Sequence, residues 1–207
     1  ISPMPFSVFS KCNEHYLMCA SPERYLAKRN NKIISQPIKG TAKRGKDEEE
    51  DTKIIDKLYY DEKERSENVM IVDLVRNDLS RTAAKGSVQV EELFGIKTFK
   101  QLHQMVSTVI SELESGKDLA DILQTTFPMG SMTGAPKIRA MQIIEETEKT
   151  KRGLYSGSVG YISPDGDFDF NVIIRSILYN EKEKYLSFTC LLYTSDAADV
   201  RSSVDLG

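Results

Sequence analysis

Apolar and polar side chains alternate along the first part of the chain, from residue 6 to residue 35. The apolar positions are rich in β-branched and aromatic types, and two turn-forming pairs, Ser21-Pro22 and Asn30-Asn31, interrupt them. Alternation of this kind places the apolar side chains on one face of a strand. The pattern predicts two or three antiparallel strands in this region.

From Asp47 the apolar residues recur at the spacing of an amphipathic helix. The acidic block at residues 47–51 suits a helix N-terminus and is, by default, a solvated helix start. We expect one helix to run from this block close to Tyr60, and a second to cover about residues 61–81.

Two shorter helices are predicted further along the chain, over residues 118–126 and 137–148. For the second of them, Thr133 is the expected N-cap, and Pro136 suits the first turn because its missing N–H does no harm there. Its amphipathic pattern predicts that one face of this helix is apolar.

The remaining patterned segments are typical of strands. They cover residues 86–99, 102–113, 153–161 and 167–178. The sequence Ser163-Pro164-Asp165-Gly166 is a turn that closes a hairpin between the last two segments. We interpret the whole as an α+β fold, in which antiparallel sheets are layered against each other and helices pack on the outside.

The composition of the chain excludes several classes of function. With 207 residues, 40% of them hydrophobic and 29% charged, the chain is long enough for one sizeable core. Its net charge of −3 comes from interspersed acidic and basic residues, so the sequence shows no basic patch that would bind nucleic acid. The three cysteines lack metal-ligand spacing, and no apolar run reaches membrane-spanning length. We therefore expect a reduced, cytoplasmic protein that binds a small metabolite and no membrane.

Lys39 lies in a short extended run, Gln36-Pro37-Ile38-Lys39-Gly40-Thr41. Pro37 favours extended geometry at the residue before it, and Gly40 removes a side chain that would crowd whatever approaches the amine. An amine that is half buried beside a metal or another cation is more easily deprotonated and can then attack an electrophilic carbon. The alternative is a lysine that extends from an edge strand into water, and the run alone favours that alternative.

Glu64 and Glu67 stand three positions apart in the second predicted helix, so that both carboxylates lie on one face. Such a pair can bind a hard divalent cation such as Mg²⁺, which keeps waters for a substrate carboxylate to displace. Lys63 and Arg65 lie beside them, and in isolation an exposed, solvated helix face is the simpler interpretation.

The segment GSMTGAPKIRAM, from Gly130 to Met141, places two glycines and a hydroxyl before a helix start, with Lys137 at hand. Glycines let the backbone come close to a ligand, and a helix N-terminus with free N–H groups is a ready anion site. A well-capped structural helix explains the same residues equally well.

Arg175 interrupts the apolar run at residues 172–178. An arginine buried there must be paired, because an isolated buried charge is costly. Its guanidinium can hold a carboxylate through two hydrogen bonds, which suits substrate binding. The competing interpretation is an internal salt bridge, with Asp167 or Asp169 as the partner.

Four motifs follow one another along the chain: SPERYL at 21–26, QPIKGT at 36–41, ENVMIVDLVRND at 67–78, and GSMTGAPKIRAM. With them the chain resembles the chorismate-binding enzyme family over roughly residues 5–190, on the aminodeoxychorismate synthase component I branch. The resemblance implies the same layered α+β fold, of which residues 1–190 would be a truncated central part of the catalytic domain. It also implies conversion of chorismate and ammonia to 4-amino-4-deoxychorismate, for p-aminobenzoate and folate synthesis. A glutamine amidotransferase partner would supply the ammonia.

The resemblance assigns roles to individual residues. Lys39 would attack ring carbon C2 while the C4 hydroxyl leaves, and Glu23 would protonate that hydroxyl, provided that burial keeps Glu23 protonated. Glu67 heads the segment whose leading glutamate binds Mg²⁺ in the family, and Glu64 is the second candidate ligand. The expected substrate contacts are Thr41, Gln104, Ser131, Thr133, Gly134, Tyr155 and Arg175.

One position departs from the family pattern. Many relatives have a histidine immediately before the apolar-Val-Ser run that corresponds to Met105-Val106-Ser107, whereas this chain has Gln104 there and His103 one position earlier. In a strand, an offset of one residue points the side chain to the opposite face. We therefore give His103 no catalytic role, and Gln104 can act at most as a hydrogen-bonding substitute.

Three alternatives to this function stay open. Anthranilate and isochorismate synthases belong to the same superfamily, and anthranilate synthases usually have alanine where Lys39 stands, so that ammonia attacks C2 directly. A non-catalytic chorismate-binding fragment is the third alternative.

The two ends of the chain carry separate expectations. Because it begins at Ile1 and members of the family carry a long N-terminal half, we expect missing upstream sequence. Residues 191–207 contain neither the glycine-rich strand nor the second magnesium-binding glutamate that relatives have there. We interpret them as a foreign tail, from a frameshift or an assembly artefact. The chain as it stands is accordingly expected to be inactive.

Overall fold

The computed structural model describes residues 4–190 and 200–205, and these residues form two antiparallel sheets and four α-helices. The first five strands follow one another directly along the chain, as β1 (Phe6–Cys12), β2 (His15–Ser21), β3 (Arg24–Arg29), β4 (Lys32–Gln36) and β5 (Ile38–Lys43). The later strands are β6 (Gln89–Thr98), β7 (Leu102–Glu112), β8 (Gly160–Ile162), β9 (Phe168–Asn171), β10 (Ser176–Asn180), β11 (Tyr185–Cys190) and β12 (Val200–Asp205).

The smaller sheet has five strands in the order β1-β2-β10-β11-β12. The larger sheet has seven, in the order β5-β7-β4-β3-β9-β8, with β6 added on β7. Strand β7 is long enough to pair with both β4 and β5, and Pro37 marks the break between those two strands. The carbonyl of Pro37 still accepts a hydrogen bond from the Ser107 N–H of β7, at 3.1 Å. The run that carries Lys39 is thus fixed to the sheet on both sides of the proline.

The helices are α1 (Glu48–Tyr59), α2 (Glu62–Ser80), α3 (Leu119–Thr126) and α4 (Lys137–Thr147). Carboxylates cap the first three: Asp47 and Asp61 each accept from the backbone N–H three residues on, and Asp118 forms a capping box with Asp121. Among the described residues, no helix is long and apolar enough to span a membrane.

The main core lies between α2 and the larger sheet. Ile71, Val72, Val75 and Leu79 recur at helical spacing along α2 and pack in one cluster with side chains of that sheet, among them Val109. Burial of such side chains is the main favourable term in folding. The predicted α+β fold, with antiparallel sheets in layers and helices outside, is confirmed.

Element boundaries were predicted unevenly. All four helices and the strand assignment of residues 102–113 are confirmed, but residues 6–35 form four strands rather than two or three. In the segment predicted as a strand over 153–161, only residues 160 and 161 lie in a strand, β8, because the residues at the start of the segment form tight turns with Ser156 at φ +63°.

The segment predicted as one strand over residues 167–178 is divided between the sheets. The hairpin turn before it is confirmed, with a hydrogen bond from Gly166 N–H to the Ser163 carbonyl at 2.9 Å. Strand β9 then ends at Asn171 in the larger sheet, and β10 begins at Ser176 in the smaller one. Residues 172–175 therefore connect the two sheets.

The acidic start of α1 is only partly solvated, as Asp51 is buried. Its carboxylate accepts hydrogen bonds from Arg44 Nε and from Gly45 N–H, each at 2.6 Å, and lies 3.0 Å from His103 Nε2. The hydrogen bond from Arg44, followed by that from Gly45, holds the pKa of Asp51 well below its usual range. The expectation of a fully exposed acidic block is wrong at this residue.

Residues 191–199 and 206–207 of the proposed foreign tail lie outside the described residues. Between them, residues 200–205 form β12, which pairs antiparallel with β11. The interpretation of the tail as foreign stays a prediction.

Candidate functional site

A cavity of about 730 Å³ lies where the start of β5, the first half of α2, the 3₁₀ helix at Gly130–Met132 and the start of β10 meet. Nine of the eleven predicted site residues line it: Glu23, Lys39, Thr41, Glu64, Glu67, Gln104, Ser131, Tyr155 and Arg175. These residues lie far apart in the sequence, so the fold brings them together. A cavity of this size suits a small metabolite.

Lys39 reaches this cavity from β5 and is not a solvated edge-strand lysine. Its side chain is 16% exposed, and Nζ lies 2.9 Å from Glu67 Oε2. The geometry favours the functional interpretation over the extended surface lysine. In this arrangement the amine is held by an ion pair, which it must leave before it can act as a nucleophile.

Gly40 shapes the wall beside Lys39. Its φ is +91°, a conformation that favours glycine, and a Cβ built there would lie 3.2 Å from Leu58 Cδ1 and 3.3 Å from Glu64 Oε2. The glycine therefore keeps room for the Glu64 carboxylate. That it also leaves room for whatever approaches the amine stays a prediction.

Replacing Gly40 with alanine is expected to lower the free energy of unfolding by about 2 kcal/mol, because a side chain at positive φ adds strain to the crowding. Urea denaturation measures the change. Gly116→Ala is the matched control, because Gly116 has φ +87° but nothing within 4 Å of its Cβ position. Equal losses in the two variants would show that crowding of Glu64 and Leu58 contributes nothing.

Glu23 is buried, with 5% of its surface exposed, between β2 and β3. Burial raises the pKa of its carboxyl to about 7, although the Ser131 hydroxyl, Lys39, the Ile38 backbone and Arg175 each stabilise the charged form. At neutral pH a large fraction of Glu23 therefore carries a proton. This is the condition on which its expected role as a general acid depends.

Glu64 and Glu67 face the cavity from α2, one turn apart. Glu67 pairs with Lys39, and Lys63 Nζ lies 3.9 Å from its other oxygen. Within residues 4–190, no group of three or more histidine, cysteine or acidic side chains is placed to hold a metal ion. Two carboxylates that face a substrate cavity still fit the donor preference of Mg²⁺, which takes one or two protein carboxylates together with substrate oxygens and water.

Gln104 and His103 point to opposite faces of β7, as their adjacent positions predict. Gln104 lines the cavity and is 1% exposed, and its Oε1 has no hydrogen-bond partner among the described residues. His103 is fully buried on the other face, between Thr98 Oγ1 at 2.9 Å and Asp51 Oδ1 at 3.0 Å. His103 is part of a structural network away from the cavity.

Arg175 is exposed and lines the cavity, at the point where the chain passes from the larger to the smaller sheet. The two acidic residues named as competing partners pair with other cations: Asp169 pairs with Arg24 and Arg29, and Asp167 pairs with Lys28. The expectation of a buried arginine within an apolar strand is wrong, because the strand is broken there and Arg175 has φ +50°. Arg175 is therefore one of the residues that form the cavity wall.

Thr133 and Gly134 do not line the cavity, whereas Ser131 does. Helix α4 starts one turn later than the expected cap: Pro136 is the N-cap residue, and the Thr133 hydroxyl donates to the Met129 carbonyl at 3.1 Å. Thr133 as the N-cap is therefore wrong. Contact of Thr133 and Gly134 with substrate stays a prediction.

Lys137 is not available as an anion ligand, because it is taken up by a buried ion pair. Its Nζ lies 2.5 Å from Asp78 Oδ2 and 2.9 Å from the Thr126 carbonyl. Burial raises the pKa of Asp78, while Lys137 opposes the shift. This pair joins the start of α4 to α2 and was not predicted from the sequence.

Replacing Asp78 with alanine is expected to lower the free energy of unfolding by about 3 kcal/mol, because it leaves the Lys137 ammonium without its carboxylate. Chemical denaturation of the two proteins measures the loss. Glu49→Ala is the control, since Glu49 forms an exposed pair with Lys53 and its loss should have little effect. An equal, small effect of both substitutions would contradict a structural role for the Asp78 pair.

The sequence analysis missed the apolar wall of the cavity and one of its cations. The missed side chains are Ile38, Lys63, Ile71, Met132, Ile174, Ile177 and Phe188. Only Ile71 carried a signal, because it follows Glu64 and Glu67 at positions i+7 and i+4 on the same helix face. Lys63 lies on α2 but was interpreted only as part of a solvated helix face. The others come from strands, the 3₁₀ helix and the connection between the sheets, and their meeting point depends on the tertiary fold.

Comparison with known proteins identifies the family of the chain. The sequence model of the family described as chorismate binding enzyme matches residues 1–190. Anthranilate synthase component 1 of Aquifex aeolicus is 43% identical over 186 residues, which are 90% of this chain and 38% of that protein. Aminodeoxychorismate synthase component 1 of Bacillus subtilis is 44% identical over 177 residues, which are 86% of this chain and 38% of that protein.

The fold agrees in the same way. The crystal structure of anthranilate synthase component I from Streptococcus pneumoniae aligns with a TM-score of 0.77 and 32% identity, over 98% of this chain and 41% of that one. The chain thus spans about two fifths of the length of the relatives it matches. The family match, the relatives and the fold give one conclusion: the chain belongs to the chorismate binding enzyme family.

Proposed function

We propose that the chain is part of an aminodeoxychorismate synthase component 1, an enzyme that converts chorismate and ammonia to 4-amino-4-deoxychorismate. The observation that carries the proposal is the Lys39 amine inside a cavity that also contains the buried carboxyl group of Glu23. A nucleophile and an acid are the two groups that displacement of a ring hydroxyl by an amine requires. The Bacillus subtilis relative carries the same name.

Binding comes first in the proposed mechanism. Chorismate carries two carboxylates, and the cavity offers the Arg175 guanidinium, the Lys63 ammonium and the Ser131 hydroxyl as groups that attract and orient them. The apolar wall, with Ile71 of α2 and Met132 of the 3₁₀ helix, lies against the unsaturated ring. Several fixed contacts orient the substrate when it binds. The entropic cost of orientation is then already met before the reaction begins, which lowers the reaction barrier.

Displacement of the hydroxyl follows. Lys39 leaves Glu67, gives up its proton to solvent and forms a bond from Nζ to ring carbon C2. At the same time the bond from C4 to its hydroxyl breaks, and Glu23 protonates the departing oxygen to water. Ammonia then bonds to C4, and the bond between C2 and Lys39 breaks to regenerate the free amine. Covalent catalysis of this kind divides one difficult substitution into two easier ones.

The carboxylates of Glu64 and Glu67 are the groups that would hold Mg²⁺. A bound Mg²⁺ supplies positive charge that neutralises and orients a carboxylate of the substrate. Gly40 leaves room beside Glu64 for this role. We further propose that a glutamine amidotransferase partner delivers the ammonia and that the enzyme works in the cytoplasm.

Anthranilate synthase is the second candidate, because the Aquifex aeolicus relative and the Streptococcus pneumoniae structure carry that name. The position of Lys39 argues against it. An amine in the cavity has no task in a reaction in which ammonia attacks C2 directly. An anthranilate synthase with this cavity would need to keep the Lys39 amine away from ring carbon C2.

Product analysis tests the choice between these functions. The protein that contains this chain is incubated with chorismate, an ammonium salt and Mg²⁺, and the product is then treated with the lyase that forms p-aminobenzoate. We expect p-aminobenzoate, whereas anthranilate or isochorismate would contradict the proposal. Calorimetry that detects magnesium-dependent chorismate binding with no product would instead indicate a non-catalytic binding module.

A further inference from the structure

A second, small cavity of about 20 Å³ lies behind the large one. Glu23 and Ser131 line both cavities, so Glu23 lies on the boundary between them. The other polar residues of the small cavity are Tyr25, Asp78 and Thr126, and its apolar wall includes Val75 and Val172. A space of this size is enough for one water molecule and too small for any metabolite.

The hydroxyl groups of the small cavity already have partners. Thr126 Oγ1 donates to the Ile122 carbonyl at 2.7 Å, so the Tyr25 hydroxyl must donate to Thr126 in their 2.6 Å contact. The hydrogens of Tyr25 and Thr126 are thus used, so a further polar molecule can bind the carboxyl groups of Glu23 and Asp78 or donate to the Tyr25 oxygen. Lys137 bonds to one oxygen of Asp78, Oδ2, and the other oxygen can accept from a water molecule.

We propose that the small cavity binds one water molecule that bridges Glu23 and Asp78, and that this water returns a proton to Glu23 after each displacement of the substrate hydroxyl. The second half of the proposal rests on the proposed function. The first half concerns only a binding site and stands without it. A buried water with two to four polar partners is a regular part of protein structure.

Glu23 must regain a proton in every turnover. When Glu23 protonates the departing hydroxyl, it becomes a carboxylate and the hydroxyl leaves as water. The bridging water then donates a proton to Glu23 and receives one from the carboxyl group of Asp78. Asp78 in turn takes its proton from the Lys137 ammonium, to which it is hydrogen-bonded. Lys137, whose side chain is 14% exposed, regains its proton from solvent. No electrons are transferred, and solvent is the only net source of the proton.

The charged groups on both sides of the small cavity stabilise the carboxylate forms of Glu23 and Asp78. Lys39 and Arg175 face Glu23 from the large cavity, so a new carboxylate there is stabilised until the proton returns. On the other side Lys137 and Arg81 act on Asp78. Burial raises the pKa values of both carboxyl groups, which favours their protonated forms.

Val172→Ile tests the site, because it adds a methylene group to the wall of the small cavity and changes no polar group. Val75→Ile does the same from α2 and serves if the first variant does not fold. Val88→Ile is the matched control, since Val88 packs against the main core and does not line the cavity. In high-resolution diffraction we expect a water bonded to both carboxyl groups in the parent and in Val88→Ile, and its loss in Val172→Ile. A parent structure with no such water would overturn the proposal.

A kinetic experiment tests the use of this water. In Val172→Ile we expect steady-state turnover to fall by about tenfold, which is less than the loss of about 10²- to 10⁴-fold expected when the acid itself is removed. A single turnover, started with Glu23 already protonated, should keep the parent rate. An equal loss in both measurements, or none in either, would refute the proton return. The diffraction result does not depend on turnover, so failure of the site and failure of the proposed function are distinguishable.

Discussion

Replacing Lys39 with alanine is expected to reduce amination of chorismate at C4 to less than about one ten-thousandth of the parent rate, because the variant has no amine to bond to C2. Nζ of Lys39 lies inside the cavity in an ion pair with Glu67, and its side chain is only 16% exposed. The substitution also leaves Glu67 without this partner. Any remaining product should carry its nitrogen at C2, since ammonia can still attack there directly.

Lys63→Ala is the matched control, because Lys63 lines the same cavity and lies 3.9 Å from the same glutamate. It removes the same charge but keeps the nucleophile, so its rate should fall far less than that of Lys39→Ala. Chorismate supplied without ammonia should leave a covalent adduct on Lys39, with the mass of chorismate less one water, in the parent and in Lys63→Ala. Normal C4 amination by Lys39→Ala would refute covalent catalysis.

Much of this site was predictable from the sequence because the relevant signals are local. Pro37 and Gly40 indicated that Lys39 is held in an extended run with space around it, and the fold fixes that run to β7 on both sides of the proline. The spacing of Glu64 and Glu67 predicted their shared helix face, and both line the cavity. The offset of His103 by one position predicted its opposite direction in β7.

The remaining features depend on contacts between distant parts of the chain. Lys137 looked like an anion ligand beside a helix start, but it pairs with Asp78, 59 positions earlier. Arg175 looked buried because its neighbours are apolar, whereas the chain bends there to change sheets. Local patterns carry no information on which side chain a distant helix presents, so neither outcome could be derived before the fold was known.

Glu23→Gln is expected to lower the rate of amination by about 10²- to 10⁴-fold, because glutamine has a similar shape but cannot protonate the departing hydroxyl. The parent should lose activity as the pH rises above about 7, where its buried carboxyl gives up the proton. That decline should be absent from the remaining activity of the variant. Glu49→Gln, at an exposed residue of α1, is the control and should follow the parent.

Although Glu23→Gln should lower activity, it should raise stability relative to the parent as the pH rises. Because burial raises the pKa of Glu23 to about 7 in the folded protein, from about 4.3 in an unfolded chain, the folded state binds this proton more tightly. The stabilisation is fully present below the unfolded pKa and is lost as the pH rises through the folded pKa. Glutamine has no proton to lose, so the melting temperature of Glu23→Gln should gain on that of the parent between about pH 4 and pH 8. A constant difference over this range would show that the carboxyl titrates normally, and the proposed acid would then be ionised at neutral pH.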